Sequence, residues 1–300
     1  MARIVVTGAH GKTGRAVVAD LLAHGHHVVA TDAVGKAGHL SELGTPMLVA
    51  DLTDYGQAAE VVQDADAVVH LANIPAPGMY PPAVTFNRNT AMNFNVFHAA
   101  QNAGVGRVVW SSSETTLGLP FDTPPQNAPQ YAPVDEAHYP RPTSAYALSK
   151  VVSETVAEHV AAWSGVPFVA LRFSNILGPA DYARLPEYWG DPRARCWNLW
   201  GYIDERDVAR ACELALTADV TGAVPLIIAA ADTVMTTPSA DLLAAVFPGV
   251  PARRALAGHE TLLAIDEARR VIGFEPRHSW RDHVAPAPAA GPDAAAGTDT

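Results

Sequence analysis

A chain of 300 residues, 49% apolar and 17% charged, can bury a sizeable core and suits one large α/β domain with a smaller appendage. Its formal net charge of −11, with no run of Lys or Arg, argues against a nucleic-acid partner, since phosphate backbones are held by clustered cations. No apolar stretch approaches the roughly 20 residues of a membrane helix. The first residues run directly into a strand pattern, so no leader is expected, and Cys196 and Cys212 lack metal-type spacing. The expectation is a cytoplasmic protein with reduced thiols, no bound metal and no membrane partner.

Residues 3–7 form a β-branched run, and Thr7-Gly8-Ala9-His10-Gly11-Lys12-Thr13-Gly14 comes next, leading into a helical pattern over residues 14–24. Gly8 permits a tight turn, Gly11 a close approach of backbone to a pyrophosphate, and Gly14 close helix–strand packing. The segment Gly8, His10, Gly11, Lys12, Thr13 and Gly14 is therefore expected to hold a dinucleotide at a helix N-terminus. The second strand, residues 27–31, is closed by Asp32. A carboxylate there accepts from ribose hydroxyls and repels a 2′-phosphate, which favours NAD over NADP. Lys36 is the cation that could reverse that preference.

The third strand, residues 47–50, leads to Asp51-Leu52, placed at the adenine edge. The fourth, residues 67–71, ends in His70-Leu71-Ala72-Asn73 at the carboxyl edge of the sheet, where ligands collect in such folds. Leu71, Ala72 and Asn73 are expected at the cofactor, with Asn73 also reaching the substrate. His70 reads equally well as a core histidine. A helix over residues 85–102 precedes the fifth strand, 107–111, which runs into Ser111-Ser112-Ser113. Ser113 is the hydroxyl chosen to bond the substrate oxygen. Ser111 and Ser112 have local backbone groups to satisfy, and Ser112 is also placed beside the substrate.

Residues 119–142 hold seven prolines and little helical periodicity, as expected of a loop near a working site. The helix over residues 146–163 begins with Tyr146-Ala147-Leu148-Ser149-Lys150, whose i, i+4 spacing puts phenol and ammonium on one face. A free tyrosine ionises near pH 10, and a neighbouring ammonium favours the phenolate, so Tyr146 is expected to act as a base with Lys150 beside it. Lys150 would also hold the ribose on the nicotinamide side. Strands at 168–172 and 225–229 and a helix at 207–217 complete the pattern, and residues 285–300 read as a disordered tail.

With these motifs in order, residues 1–280 resemble the extended short-chain dehydrogenases/reductases, also called the NAD-dependent epimerase/dehydratase family. The resemblance is carried by the Gly8/Gly11/Gly14 loop, Asp51-Leu52, the three serines, Pro133-Val134-Asp135-Glu136, Tyr146-x-x-x-Lys150, Leu171-Arg172-Phe173-Ser174-Asn175 with Gly178-Pro179, and Tyr202-Ile203-Asp204-x-x-Asp207-Val208-Ala209. It implies a Rossmann-type doubly wound parallel sheet with a small C-terminal substrate-binding subdomain, and NAD as cofactor. It also implies Ser113, Tyr146 and Lys150 as a catalytic trio, Asn175 at nicotinamide and substrate, and Asp207 in a structural role. Residues 1–175, rejoined by 203–231, are expected to form the NAD-binding domain, and 176–202 with 232–284 the substrate-binding subdomain. The apolar helices 85–102 and 146–163 are expected either to pair in a homodimer or to be buried within one chain.

Sugar-nucleotide dehydratases resembling this chain carry Asp-Glu after the catalytic hydroxyl; here Glu114-Thr115 stand there, which disfavours dehydration. The short segment 180–201 leaves little protein to wrap a nucleoside diphosphate. The form is more similar to uronate dehydrogenases, in which an arginine at the place of Arg184 holds a substrate carboxylate in bidentate fashion. Trp197 and Trp200 could platform a sugar ring or seal the small subdomain. The expected function is NAD-dependent hydride transfer from a hydroxyl of a small sugar-like substrate, with or without a carboxylate. A sugar or sugar-nucleotide epimerase is the alternative.

Overall fold

Strands buried on both faces need uninterrupted apolar runs, and the runs at Val68-Val69, Val108-Val109-Trp110 and Phe168-Val169-Ala170-Leu171 supply them. The computed structural model describes residues 1–284 apart from Lys36, His39, Leu40 and Tyr139. In chain order it contains β1 (Arg3–Thr7), α1 (Lys12–Ala23), β2 (His27–Asp32), β3 (Met47–Val49), α2 (Tyr55–Val62), β4 (Ala67–His70), α3 (Pro82–Asn102) and β5 (Arg107–Ser113). Beyond them lie α4 (Ala145–Ser164), β6 (Phe168–Phe173), β7 (Ile176–Leu177), β8 (Ile203–Asp204), α5 (Glu205–Thr217), β9 (Ala223–Ile228), α6 (Ser239–Val246) and α7 (Asp266–Ile272).

Seven strands form one parallel sheet in the order β3-β2-β1-β4-β5-β6-β9, a doubly wound Rossmann-type arrangement. The chain winds outward from β1 in one direction and from β4 in the other. The crevice beyond the carboxyl ends of these two neighbours is where such folds bind ligands. Register places Thr7 beside both Thr31 and His70, and Ser113 beside Phe173. The strands β5 and β6 run further than their sequence patterns, so Ser113 is held in the sheet rather than in a loop.

Two apolar clusters cover the faces of the sheet, and a third lies at its carboxyl end. The third joins Trp200, Phe247 and Trp280 to Leu119, Phe121, Ala132 and Val134 of the proline-rich segment. Within that segment Ala132 and Val134 bridge to Ala252 and Leu263 of the later chain. The helices α2, α6 and α7 have only eight, eight and seven residues, too few for periodicity to reveal them. The expected tail, residues 285–300, and Lys36 lie outside the described residues. Among the described residues no helix is long and apolar enough to cross a membrane.

Candidate active site

A cavity of about 1090 Å³ runs along the carboxyl edge of the sheet, from Asp32 and the glycine loop at one end to Ser113 and Tyr146 at the other. Gly8 holds φ at +68°, and a Cβ there would stand 2.8 Å from the Ala72 nitrogen. A Cβ on Gly14 would lie 2.2 Å from the Gly8 carbonyl oxygen, so only glycine lets α1 approach β1. No side chain caps α1, which leaves its first N–H groups for an anion. Beneath the loop, Thr7 Oγ1 accepts from the N–H groups of Leu71 and Ala72, both at 3.1 Å.

His70 explains itself in the same place. Its Nδ1 meets Thr7 Oγ1 at 2.7 Å and its Nε2 meets Asn93 Oδ1 at 2.9 Å, and burial pushes its pKa down to about 3. It is a neutral core histidine, and it does not line the cavity.

At the adenosine end, Asp32 lines the cavity while its Oδ2 accepts the His10 N–H at 3.0 Å. His10 serves through that backbone group; its ring turns toward Arg15 and Glu42. Asp51 also lines the cavity, its carboxyl held below the usual range chiefly by the hydroxyl and N–H of Thr53. Arg88, which sequence reading did not single out, stands 3.8 Å from Asp51 and lines the same wall with Leu52. Lys12 reaches across the mouth to Asp181 at 2.6 Å. The uncapped helix, the glycine cradle and the carboxylate at Asp32 fit a dinucleotide.

At the other end, Ser144 caps α4 by accepting the Ala147 N–H at 3.1 Å, so the helix begins at the residue before Tyr146. Tyr146 and Ser113 line the same stretch of cavity wall, and Ser113 Oγ accepts from Thr115 N–H at 3.2 Å and Thr115 Oγ1 at 3.0 Å. Lys150 is buried, donates from Nζ to the Ser111 carbonyl at 2.7 Å and lies 5.7 Å from the Tyr146 ring centre. The trio is thus assembled, but its electrostatics differ from expectation. Burial, opposed by the Ser113 hydroxyl and assisted by the Glu114 charge, pushes the phenol up to about 12. Burial pushes Lys150 down to about 7, with Glu154 opposing it. In both groups desolvation outweighs the neighbours that favour the charged form.

Asn73 lines the cavity and donates to the Leu71 carbonyl at 2.9 Å, and its Oδ1 is buried without a partner. Asn175 lines the cavity and accepts from Arg195 Nη2 at 3.0 Å. Ser112 also lines it, but its hydroxyl is committed to Glu154 at 2.5 Å. Arg184 is not brought to the site. It sits in the 3-10 helix Tyr182–Tyr188 with its side chain 70% exposed, 3.5 Å from Glu187 and away from the cavity. Arg184→Ala is accordingly expected to leave KM and kcat unchanged for any substrate, checked by steady-state kinetics.

The two tryptophans divide the roles open to them: Trp197 lines the cavity, and Trp200 is wholly buried in the carboxyl-end cluster. Sequence reading missed Glu114 and Arg195 as site residues. Glu114 is 3% exposed and lines the cavity directly after Ser113, and burial raises its pKa to about 7. Among the described residues no group of His, Cys, Asp or Glu could hold a metal ion.

This fold and this site define an NAD-dependent enzyme of the oxidoreductase type. The chain belongs to the NAD dependent epimerase/dehydratase family, whose sequence model matches residues 4–230. An L-arabinose 1-dehydrogenase (NAD(P)(+)) of Haloferax volcanii is 32% identical over 188 residues, 61% of this chain and 70% of that one. A UDP-glucose 4-epimerase of Lacticaseibacillus casei is 29% identical over 181 residues, 58% of this chain but only 52% of the epimerase. A solved structure of a mutated uronate dehydrogenase has a similar fold, with TM-score 0.66 and 22% identity, covering 94% of this chain and 84% of that one.

Proposed function

We propose that the protein oxidises a hydroxyl group of a small sugar-like molecule, with Tyr146 taking the hydroxyl proton and Ser113 orienting the oxygen. The observation that carries this reading is that Tyr146 and Ser113 line one cavity wall, with Lys150 one turn further along α4 and 5.7 Å from the Tyr146 ring centre. NAD, when bound, supplies the nicotinamide carbon that accepts the hydride. In this reading Lys150, which donates to the Ser111 carbonyl without the cofactor, would hold the ribose, and Asn73 of the cavity wall would bond the substrate. Relatives named as a sugar dehydrogenase and as an epimerase both fit the first oxidation step.

The two activities diverge after that step. A dehydrogenase releases reduced cofactor, whereas an epimerase returns the hydride and shows no net redox change. Aldoses, uronates and sugar nucleotides, each offered with NAD and with NADP, would be followed by absorbance of the reduced nicotinamide. We expect accumulation of NADH with a free sugar-like substrate; inversion of a sugar nucleotide without NADH would replace this reading with the epimerase.

A homodimer and a cytoplasmic location belong to the same proposal. Val84 and Phe94 of α3 and Leu148 and Trp163 of α4 are exposed on helices that pack side by side, and a second copy would cover them. Light scattering should give twice the chain mass; a single-chain mass at micromolar concentration overturns the dimer.

A further inference from the structure

Glu114 is a buried carboxylate in the wall of the cavity, next in sequence to the hydroxyl that faces Tyr146. Its Oε2 accepts from Ser174 Oγ at 2.6 Å and its Oε1 from Asn198 Nδ2 at 3.2 Å. Those two partners, with the Asn175 N–H as a third neighbour, fix the group from β6's end and from the 3-10 turn Cys196–Asn198, yet a carboxylate offers about four acceptor positions. Capacity therefore remains for a donor from the cavity. A neutral amide could tie Ser174 to Asn198 as well, so structure alone gives little reason to bury an acid there.

The cations complete the argument. Among the described residues, the only cationic side chains lining the cavity are Lys12 and Arg88, and both stand at its nucleotide half facing acids, Asp181 at 2.6 Å and Asp51 at 3.8 Å. Behind the substrate end, Arg195 is 7% exposed, donates to Asn175 Oδ1 and to the Gly201 carbonyl, and lies over the rings of Tyr188 and Trp197 at 5.5 and 5.2 Å. Its charge and that of Glu114 act on each other. A substrate carboxylate entering here would meet Glu114, and Arg195, behind this end, does not line the cavity. A neutral ring would meet a hydroxyl acceptor and the apolar surfaces of Trp197, Leu119, Pro120 and Phe173.

We propose that Glu114 accepts a hydrogen bond from a substrate hydroxyl, and that it thereby selects neutral monosaccharides over sugar acids. The proposal rests on the dehydrogenase reading above and names its substrate class. The test compares wild type and Glu114→Gln, with NAD, on a series of neutral aldoses, their single-deoxy analogues and the matching hexuronates. Wild type should favour the aldose over the uronate in kcat/KM by about 10- to 100-fold, the range expected of one hydrogen bond to a charged group.

Glu114→Gln should raise KM for the aldose more than it lowers kcat and should narrow that preference. It should also lose the penalty for removing one particular hydroxyl, which a merely structural role would leave intact. An equal loss on every sugar, or a wild type that prefers uronates, overturns the assignment while leaving the dehydrogenase reading standing. If no sugar reduces NAD although NAD binds, the dehydrogenase reading falls and takes the assignment with it. Should the variant fail to fold, the wild-type comparison of aldose, deoxy-aldose and uronate still decides.

Discussion

Replacing Tyr146 with phenylalanine is expected to lower kcat by about 10²- to 10⁴-fold, the range of a lost general base, while NAD still binds. The ring keeps its place on α4, and only the hydroxyl disappears. The effect should depend on pH in a definite direction. The phenol stands at about 12, so at neutral pH the phenolate is a minority species and its population rises as pH rises. Wild-type kcat/KM for oxidation should therefore climb with pH, and the phenylalanine variant should show a flat profile.

Lys150 works against this climb. With a pKa near 7 its ammonium is present below that pH and is lost above it, so the cation that favours the phenolate fades as the phenolate becomes accessible. Pre-steady-state and steady-state rates across pH, for both proteins, check this. A phenylalanine variant with the rate and slope of wild type would remove Tyr146 from the chemistry.

The cofactor half of this site was legible because its requirements are written in residue type. A Cβ at Gly14 cannot coexist with the Gly8 carbonyl, so the sequence must show glycine there. The spacing of Tyr146 and Lys150 was legible because one helical turn converts spacing into a shared face. Side-chain direction was another matter. In strands buried on both faces nothing in the pattern says which residue faces the crevice, and His70 could be resolved only by its partners Thr7 and Asn93.

Glu114 was visible in the sequence as half of a missing acid pair. Its use depends on Ser174, 60 positions away and brought alongside by the pairing of β5 with β6, and on Asn198, 84 positions away. Arg184 shows the opposite failure. Its distance from Tyr146 along the chain matched that of a substrate-binding arginine, but the 3-10 helix Tyr182–Tyr188 turns its side chain to Glu187. The sign of the Tyr146 shift was misjudged for a physical reason too: a charge partner is evident from spacing, whereas the depth of burial that outweighs it is not.

Glu154→Ala is expected to destabilise the protein by about 3–5 kcal/mol, because it strands a buried guanidinium. The Arg172 side chain is 6% exposed and grips Glu154 in bidentate fashion, at 2.9 and 2.7 Å, while its Nη1 donates to the Glu136 carbonyl at 3.2 Å. Ser112 donates to the same Glu154 oxygen, and Ser112 pairs with Arg172 across β5 and β6. One carboxylate on α4 therefore ties down two strands just below Ser113. Urea unfolding of wild type and variant measures the loss, and a loss below about 1 kcal/mol would mean that the pair behaves as a solvent-screened surface contact.

Glu154→Gln separates stability from chemistry, since the amide keeps an oxygen for Arg172 but drops the charge. Glu154 lies one turn beyond Lys150 on α4, and its charge is what raises the lysine's pKa against burial. Removing that charge lowers the ammonium population at a given pH, so the glutamine variant should lose activity most near neutral pH and least in acid, where Lys150 is protonated in both proteins.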